Sequence, residues 1–365
     1  MNIARNKHLR LIILCGIAVL IFLFGLNSGL TEHLYTNGLY QFISVAQRLV
    51  SSRFSFATGD LLYLLFIVFC CWSIVRGSGK LLNKTTRRAA LMEIPLQLAG
   101  FVLLLYIVFK LLWGLNYSRP SVSGQLGIDN KKYTTTDLVL LGDFLIERLN
   151  GIQTKLDQQK ARRSFSIAEL QLKATQSYNE LAKVNRFFTY RSPAVKAVVF
   201  DWGVTKIGLE GYYNPLSAEA NVNMRLPAVV LPFVTAHEIS HQLGVAREDE
   251  ANLTGYLVSI HSTDLNFQYS GYYNILRNVL FEIRFKAPDD FDLLYKKINK
   301  RTRQDFQTER DFWMKYNNDM FAYMNVALDS FLKINNQQKG VDSYQDIVLW
   351  VFNLHRKELK AKKIE

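Results

Sequence analysis

The sequence predicts a mostly α membrane protein: three N-terminal transmembrane helices, then an α+β domain with a small sheet. Three observations predict it. Three long apolar runs lie before residue 118, helix-periodic patterns fill most of the remainder, and β-branched and aromatic residues concentrate in 194–224.

The apolar runs are LIILCGIAVLIFLFGL (11–26), LLYLLFIVFCCWSIV (61–75) and IPLQLAGFVLLLYIVFKLLW (94–113). Each approaches the roughly 20 residues that cross a bilayer. One such run is equally a buried helix of a soluble protein. Three in succession, each with charge at its flanks, favour spans. Lys110 falls near the end of the third, where it can snorkel to the interface. Arg5, Lys7 and Arg10 before the first run suit a signal peptide, but FGLNSGLTEHLY (24–35) has only a weak small-residue cleavage site. The expectation is an uncleaved anchor.

Basic loops face the cytoplasm. Arg5, Lys7 and Arg10 precede the first span, and Arg76, Lys80, Lys84, Arg87 and Arg88 lie between the second and third. The loop between the first two spans holds only Arg48 and Arg53, which puts it outside. Three spans then place the N-terminus in the cytoplasm and everything after residue 118 in the periplasm or cell exterior.

The net charge of +13 follows this partition. Residues 1–118 carry 11 Lys/Arg against 3 Asp/Glu, so +8 of the excess sits beside the membrane, where anionic lipid attracts it. The expected contact is membrane lipid, with no nucleic-acid partner. Cys15, Cys70 and Cys71 all fall in the spans, which leaves the outer domain without disulfide or thiolate chemistry.

Past the third span, WGLNYSRP (113–120) offers Trp113 and Tyr117 to an aromatic belt, and Pro120 opens a linker. The domains are therefore a membrane anchor, 1–118, and an outer domain, 119–365. Helical patterns cover 134–156 and 166–184. AVKAVVFDW (194–202) reads as a strand, and KIGLEGYYNPLSAEANVNM (206–224) follows with turn chemistry. Helices are expected again at 271–285, near 303–335 and at 343–360, with the basic run 355–363 as a solvated face.

The apolar run LPAVVLPFVTA (226–236) leads into His237-Glu238-Ile239-Ser240-His241, or H-E-x-x-H. On a helix, residues four apart share a face, so both imidazoles can bind one zinc ion. Glu238 then stands beside the open position as general base to the water there. Gly244 suits a left-handed cap that turns the chain back, and Glu248-Asp249-Glu250 opens a second helix. Two histidines at helical spacing are also common on solvated faces, and an acidic cluster commonly starts a helix. Here the glutamate, the glycine turn and the acidic helix arrive in order. A third protein ligand is required. Glu248 is the first choice, because Glu248-x-x-Ala251-Asn252 resembles the E-x-x-A-[D/N] segment of glutamate-type zinc peptidases. Glu250 is the alternative, and Asn252 would support the ligands from behind. Arg247 stands where metzincins place a third histidine, and a guanidinium has no lone pair to give.

Over nearly its whole length the chain resembles an uncharacterised bacterial domain-of-unknown-function family of three-span membrane proteins with an H-E-x-x-H domain. The matching segments are WGLNYSRP (113–120), GYYNPLSAEANVN (211–223) and HEISHQLGVAREDEAN (237–252). The resemblance implies a bacterial inner-membrane or cell-envelope protein and a zincin-like metallopeptidase domain.

The expected function is zinc-dependent hydrolysis of a peptide or protein substrate in the envelope. Zn²⁺ would be held by His237, His241 and Glu248, with Glu238 as base. Glu219, Asn221 and Asn223 are the candidate edge strand for an extended substrate. Tyr213, Tyr256 and His261 are the candidate oxyanion donors. The alternatives are a non-catalytic zinc protein that binds or senses, and a zinc amidase acting on cell-wall material.

Overall fold

Each apolar run makes up the greater part of a longer helix in the computed structural model, which describes residues 2–159, 164–316, 319–335, 337 and 346–362. α1 spans Asn2–Gly25. The chain then forms α2 (Ser28–Leu30), a π-helical segment (Thr31–Leu39) and α3 (Tyr40–Ser51). α4 (Thr58–Leu82) and α5 (Arg87–Leu112) follow, each packed against its neighbour, and α1 packs on α5. Helices α1, α4 and α5 are each long and apolar enough to cross a membrane, and almost none of their apolar surface is buried within the protein. They outrun the apolar runs because good helix formers such as Arg76 and Lys80 flank them.

Past α5, residues Gly114–Ser118 form a 3₁₀ turn and Val122–Gln125 form α6. α7 (Thr135–Gln158) and α8 (Ile167–Ala182) each start in a full capping box, Thr134 with Asp137 and Ser166 with Glu169. Then come β1 (Val195–Ala197), α9 (Asp201–Lys206), β2 (Gly211–Asn214) and β3 (Glu219–Val222). The strand expected over 194–202 is therefore short. Its end turns at Val199 and Phe200 and enters α9 at Asp201, because Val199, Phe200 and Trp202 have no sheet to pack on and are exposed.

The remaining elements are α10 (Leu231–Gln242), α11 (Glu248–Ile260), α12 (Leu265–Lys286), α13 (Pro288–Lys297), α14 (Lys300–Tyr316), α15 (Asp319–Ile334) and α16 (Ile347–Lys362). The helical stretch expected near 303–335 is two helices. Residues 317–318 within it, 343–345 at the start of the last expected helix and 363 at the end of the basic run lie outside the described residues. α10 is buried on nearly every face, between the sheet on one side and α8, α11 and α12 on the other. α7, α12 and α16 enclose the main core behind it.

The sheet corrects one expectation. Its order is β1-β3-β2, with β1 parallel and β2 antiparallel to β3. β3 is thus the central strand, and Glu219, Asn221 and Asn223 are fully buried rather than on an edge. Their polarity has an internal use in two cases. Asn223 donates to the Thr205 hydroxyl and the Leu209 carbonyl, at 2.8 and 3.2 Å. Glu219 accepts from Thr58 N (3.0 Å), Thr58 Oγ1 (2.8 Å), Gly59 N (2.7 Å) and Ser217 Oγ (2.8 Å). A buried carboxylate thereby caps the first turn of α4 and ties that apolar helix to the sheet. Gly59 is needed there, since a Cβ would come within 2.5 Å of Ser217 Oγ. Glu219→Ala should strand these donors and cost on the order of 3 kcal/mol. A thermal unfolding curve of the detergent-solubilised chain measures it.

Candidate metal centre

The site is built where α10 meets α11. Helical spacing puts His237 and His241 on one face, with their rings 4.9 Å apart and nearly perpendicular. Gly244, at φ +82°, makes the turn after α10, and Arg247 N-caps α11 in extended backbone. This return brings Glu248 Oε2 to 3.3 Å from His237 Nε2 and 3.8 Å from His241 Nε2. Among the described residues, these three form the group whose ligand atoms converge, all within 4.8 Å of one another. Tetrahedral zinc with bonds of about 2.0–2.1 Å needs ligand atoms about 3.3–3.4 Å apart, which the two Glu248 contacts approach, and two imidazoles with a carboxylate are a donor set that suits it.

The backs of both rings support that fit. His237 Nδ1 is 2.9 Å from Asn252 Oδ1, and His241 Nδ1 is 2.6 Å from the Val245 carbonyl. Each oxygen accepts from an Nδ1–H, which fixes the tautomer and leaves the Nε2 lone pair facing the centre. Asn252→Ala should therefore weaken zinc binding by about 10–100-fold without removing a ligand, as competition with a zinc chelator would measure.

The ionisable groups are tightly coupled. Burial pushes Glu238 up to about 8, reinforced by Glu248 and Glu210 and opposed by His237. Burial works against the charged form of His237, but Glu248, Glu238 and Glu210 outweigh it and lift that imidazole to about 9. Burial instead carries His241 down to about 4. The carboxylates thus favour positive charge at His237, and a bound cation would supply such charge in the same place.

Glu238 reaches the cavity beside the histidines, and its Oε2 is buried with no hydrogen-bond partner. Gly211 of β2 packs against it, where a Cβ would meet Glu238 Oε1 at 2.6 Å and the Asn221 carbonyl at 2.8 Å. Asn223 N donates to the Glu210 carbonyl, so in this antiparallel ladder Glu210 and Tyr212 face β3. The backbone groups of Gly211 and Tyr213 then point to the free edge. The strand exposing an edge to the cavity is β2, not β3.

The other sequence candidates separate cleanly. Glu250 is buried away from the histidines, accepting from Val122 N at 2.8 Å and Arg247 at 3.2 Å. Burial pushes its carboxyl up to about 7. Tyr256 lies in the core with its hydroxyl 2.8 Å from His355 Nε2, and does not line the cavity. His261 ends α11 at the surface, with Nδ1 2.8 Å from the Leu257 carbonyl. Both are out of reach because α11 runs away from the centre after its first turns. Tyr213 does line the cavity, stacked on Trp113 with centroids 5.2 Å apart. Burial keeps its phenol protonated well above the usual range.

Sequence reasoning missed what holds α10 in place. The carbonyls at a helix C-terminus have no partner within the helix. Here they are met from the first third of the chain. The His241 carbonyl accepts from Trp113 Nε1 (3.2 Å) and Tyr40 OH (3.0 Å), and the Gln242 carbonyl from Arg48 (3.1 Å). Arg119 donates to the Gly244 carbonyl at 3.0 Å while its guanidinium pairs with Glu32 through two bonds. Trp113 and Tyr117 are thus buried against the site and form no aromatic belt. The available signal was the helical spacing of Tyr40, Ser44 and Arg48, a narrow polar face that is wholly buried.

A cavity of about 630 Å³ opens over the centre. Glu210, Asn274 and Arg277 form a polar wall, and Phe109, Trp113 and Phe331 stand in an apolar one. Such a volume suits a ligand of several residues.

No curated protein and no solved structure matches the chain. A family model described as "Protein of unknown function (DUF3810)" matches residues 35–352, a stretch holding α4, α5 and every residue of the centre. The chain belongs to that family.

Proposed function

We propose that the chain is a membrane-anchored zinc-dependent metallopeptidase. Residues 1–118 form a three-span anchor and 119–365 a zincin-like domain on the side of the membrane opposite the basic loops. One observation carries the reading. The Nε2 atoms of His237 and His241 converge with Glu248, while a buried, unpartnered Glu238 oxygen lies in the same cavity.

Zinc held by His237, His241 and Glu248 supplies a Lewis acid that polarises a carbonyl and makes water nucleophilic near neutral pH. The chain's own residues do the rest. Glu238 takes the water proton and passes it to the leaving amine. The free edge at Gly211 and Tyr213 pairs with an extended peptide and holds the scissile bond above Glu238. Of the three candidate oxyanion donors, Tyr213 is the one that lines the cavity, and we assign it the role. The capped C-terminus of α10 keeps the histidines in register with Glu248, so the ligand geometry is set before metal arrives.

The envelope setting and its sidedness rest on the distribution of Lys and Arg around α1, α4 and α5. The test compares envelope peptides and muropeptides between cells carrying the native chain and Glu238→Gln. New peptide termini that depend on Glu238 support the peptidase. Altered muropeptides with an unchanged peptide profile would move the reading to a cell-wall amidase.

A further inference from the structure

The apolar wall of the cavity is made by the ends of the apolar helices themselves. Tyr63 comes from the start of α4, and Phe109 from the end of α5. α4 and α5 form a hairpin, so these two ends lie on the same side of any membrane they cross. α15 closes the wall with Leu328 and Phe331. It is held at the end of α5 by the Phe331–Phe109 ring contact at 5.9 Å and by Lys110 Nζ to Asn335 Oδ1 at 3.1 Å.

Two exposed apolar patches flank this wall. On α15, Tyr323, Val326 and Ile334 point outward at 73, 67 and 82% exposure, so that helix is apolar on its cavity side and on its outer side. Water on the outer side would make that arrangement costly, whereas the interfacial layer of a bilayer would cover it. On the other flank, Val199, Phe200 and Trp202 are exposed, with Lys206 4.5 Å over the Trp202 ring. Val199 N donates to Asp60 in the first turn of α4 at 2.8 Å, which sets this patch level with the head of that helix. Aromatic residues beside a lysine at this depth match the headgroup region.

We propose that the cavity takes its substrate from the bilayer. The substrate is a peptide bearing an acyl chain, which lies against Tyr63, Phe109, Leu328 and Phe331 while the peptide runs along β2. The fate of the bond rests on the peptidase reading above; the binding of the chain does not. A transmembrane helix is the poorer occupant. It is about 10–12 Å across, so 630 Å³ would hold little more than one turn. A flexible chain with a few extended residues fits the same space, the apolar part facing lipid and the peptide facing Glu210, Asn274 and Arg277.

The experiment uses the full chain carrying Glu238→Gln in phosphatidylcholine vesicles, with a hexapeptide library on a palmitoyl-type chain that bears a photoactivated diazirine. A phosphatidylcholine with the same diazirine chain serves as the second probe. Label mapped by mass spectrometry to 109–117 and 324–332, displaced by unlabelled acyl-peptide, is expected. It should exceed the phospholipid probe about tenfold, since the shared chain cancels between the probes and one or two peptide hydrogen bonds along β2 supply that much. Equal labelling by the phospholipid, or no displaceable label on those segments, overturns the proposal. Matched acylated and plain libraries given to the native chain then separate the two readings. Acyl-selective labelling without cleavage removes the peptidase and keeps the substrate class. Cleavage of plain peptides at the acylated rate does the reverse.

Discussion

Glu238→Gln is expected to lower peptide hydrolysis by about 10²–10⁴-fold while zinc content stays unchanged. The substitution keeps the shape of a side chain that packs against Gly211, so neither β2 nor α10 is disturbed. It removes only the ability to accept and return a proton. Glu238 is not among the three groups that converge as ligands, which is why the metal should remain. The measurement is kcat and KM on a fluorogenic peptide, with zinc determined on the same preparation. A loss confined to kcat marks a base that acts in the transition state. Retained turnover, with contaminating protease excluded, would remove Glu238 from the role.

Glu248→Ala and Glu250→Ala should diverge strongly, although the two carboxylates are two residues apart. Glu248→Ala removes a ligand from the cluster. It should lower zinc affinity beyond the roughly 10–100-fold expected for losing a supporting residue such as Asn252, and activity should fall with it. Glu250→Ala should keep zinc. Its cost falls on stability, because Val122 N and Arg247 lose their buried acceptor, worth about 1–3 kcal/mol. Chelator competition and thermal unfolding of both variants check this. Zinc lost from Glu250→Ala and kept by Glu248→Ala would reverse the assignment.

The local parts of the site were legible in the sequence. Helix periodicity, the H-E-x-x-H spacing, the glycine turn and the first acid of α11 each depend on residues a few positions apart, and fixed spacing within a helix fixes geometry. The apolar helices were legible for the same reason. What was not legible depends on contacts across the chain. Trp113 meets the His241 carbonyl from 128 residues away, and Tyr40 does so from 201 away. No local pattern marks Trp113 as a cap for a distant helix rather than a residue of an aromatic belt. Strand order was hidden likewise. The alternating polar residues of β3 resemble an exposed edge, and only the pairing with β1 and β2 reveals them as buried. Tyr256 and His261 lay near the motif in sequence, yet the direction of α11 takes them away from the centre.

Zinc in the purified full chain is the most direct test of the central claim. The native protein should carry close to one equivalent, with an X-ray absorption edge fitted by two imidazole nitrogens and a carboxylate, and His241→Ala should lose that metal. A native chain that takes up no zinc, or a His241→Ala chain that holds it as tightly as the native one, would contradict the account.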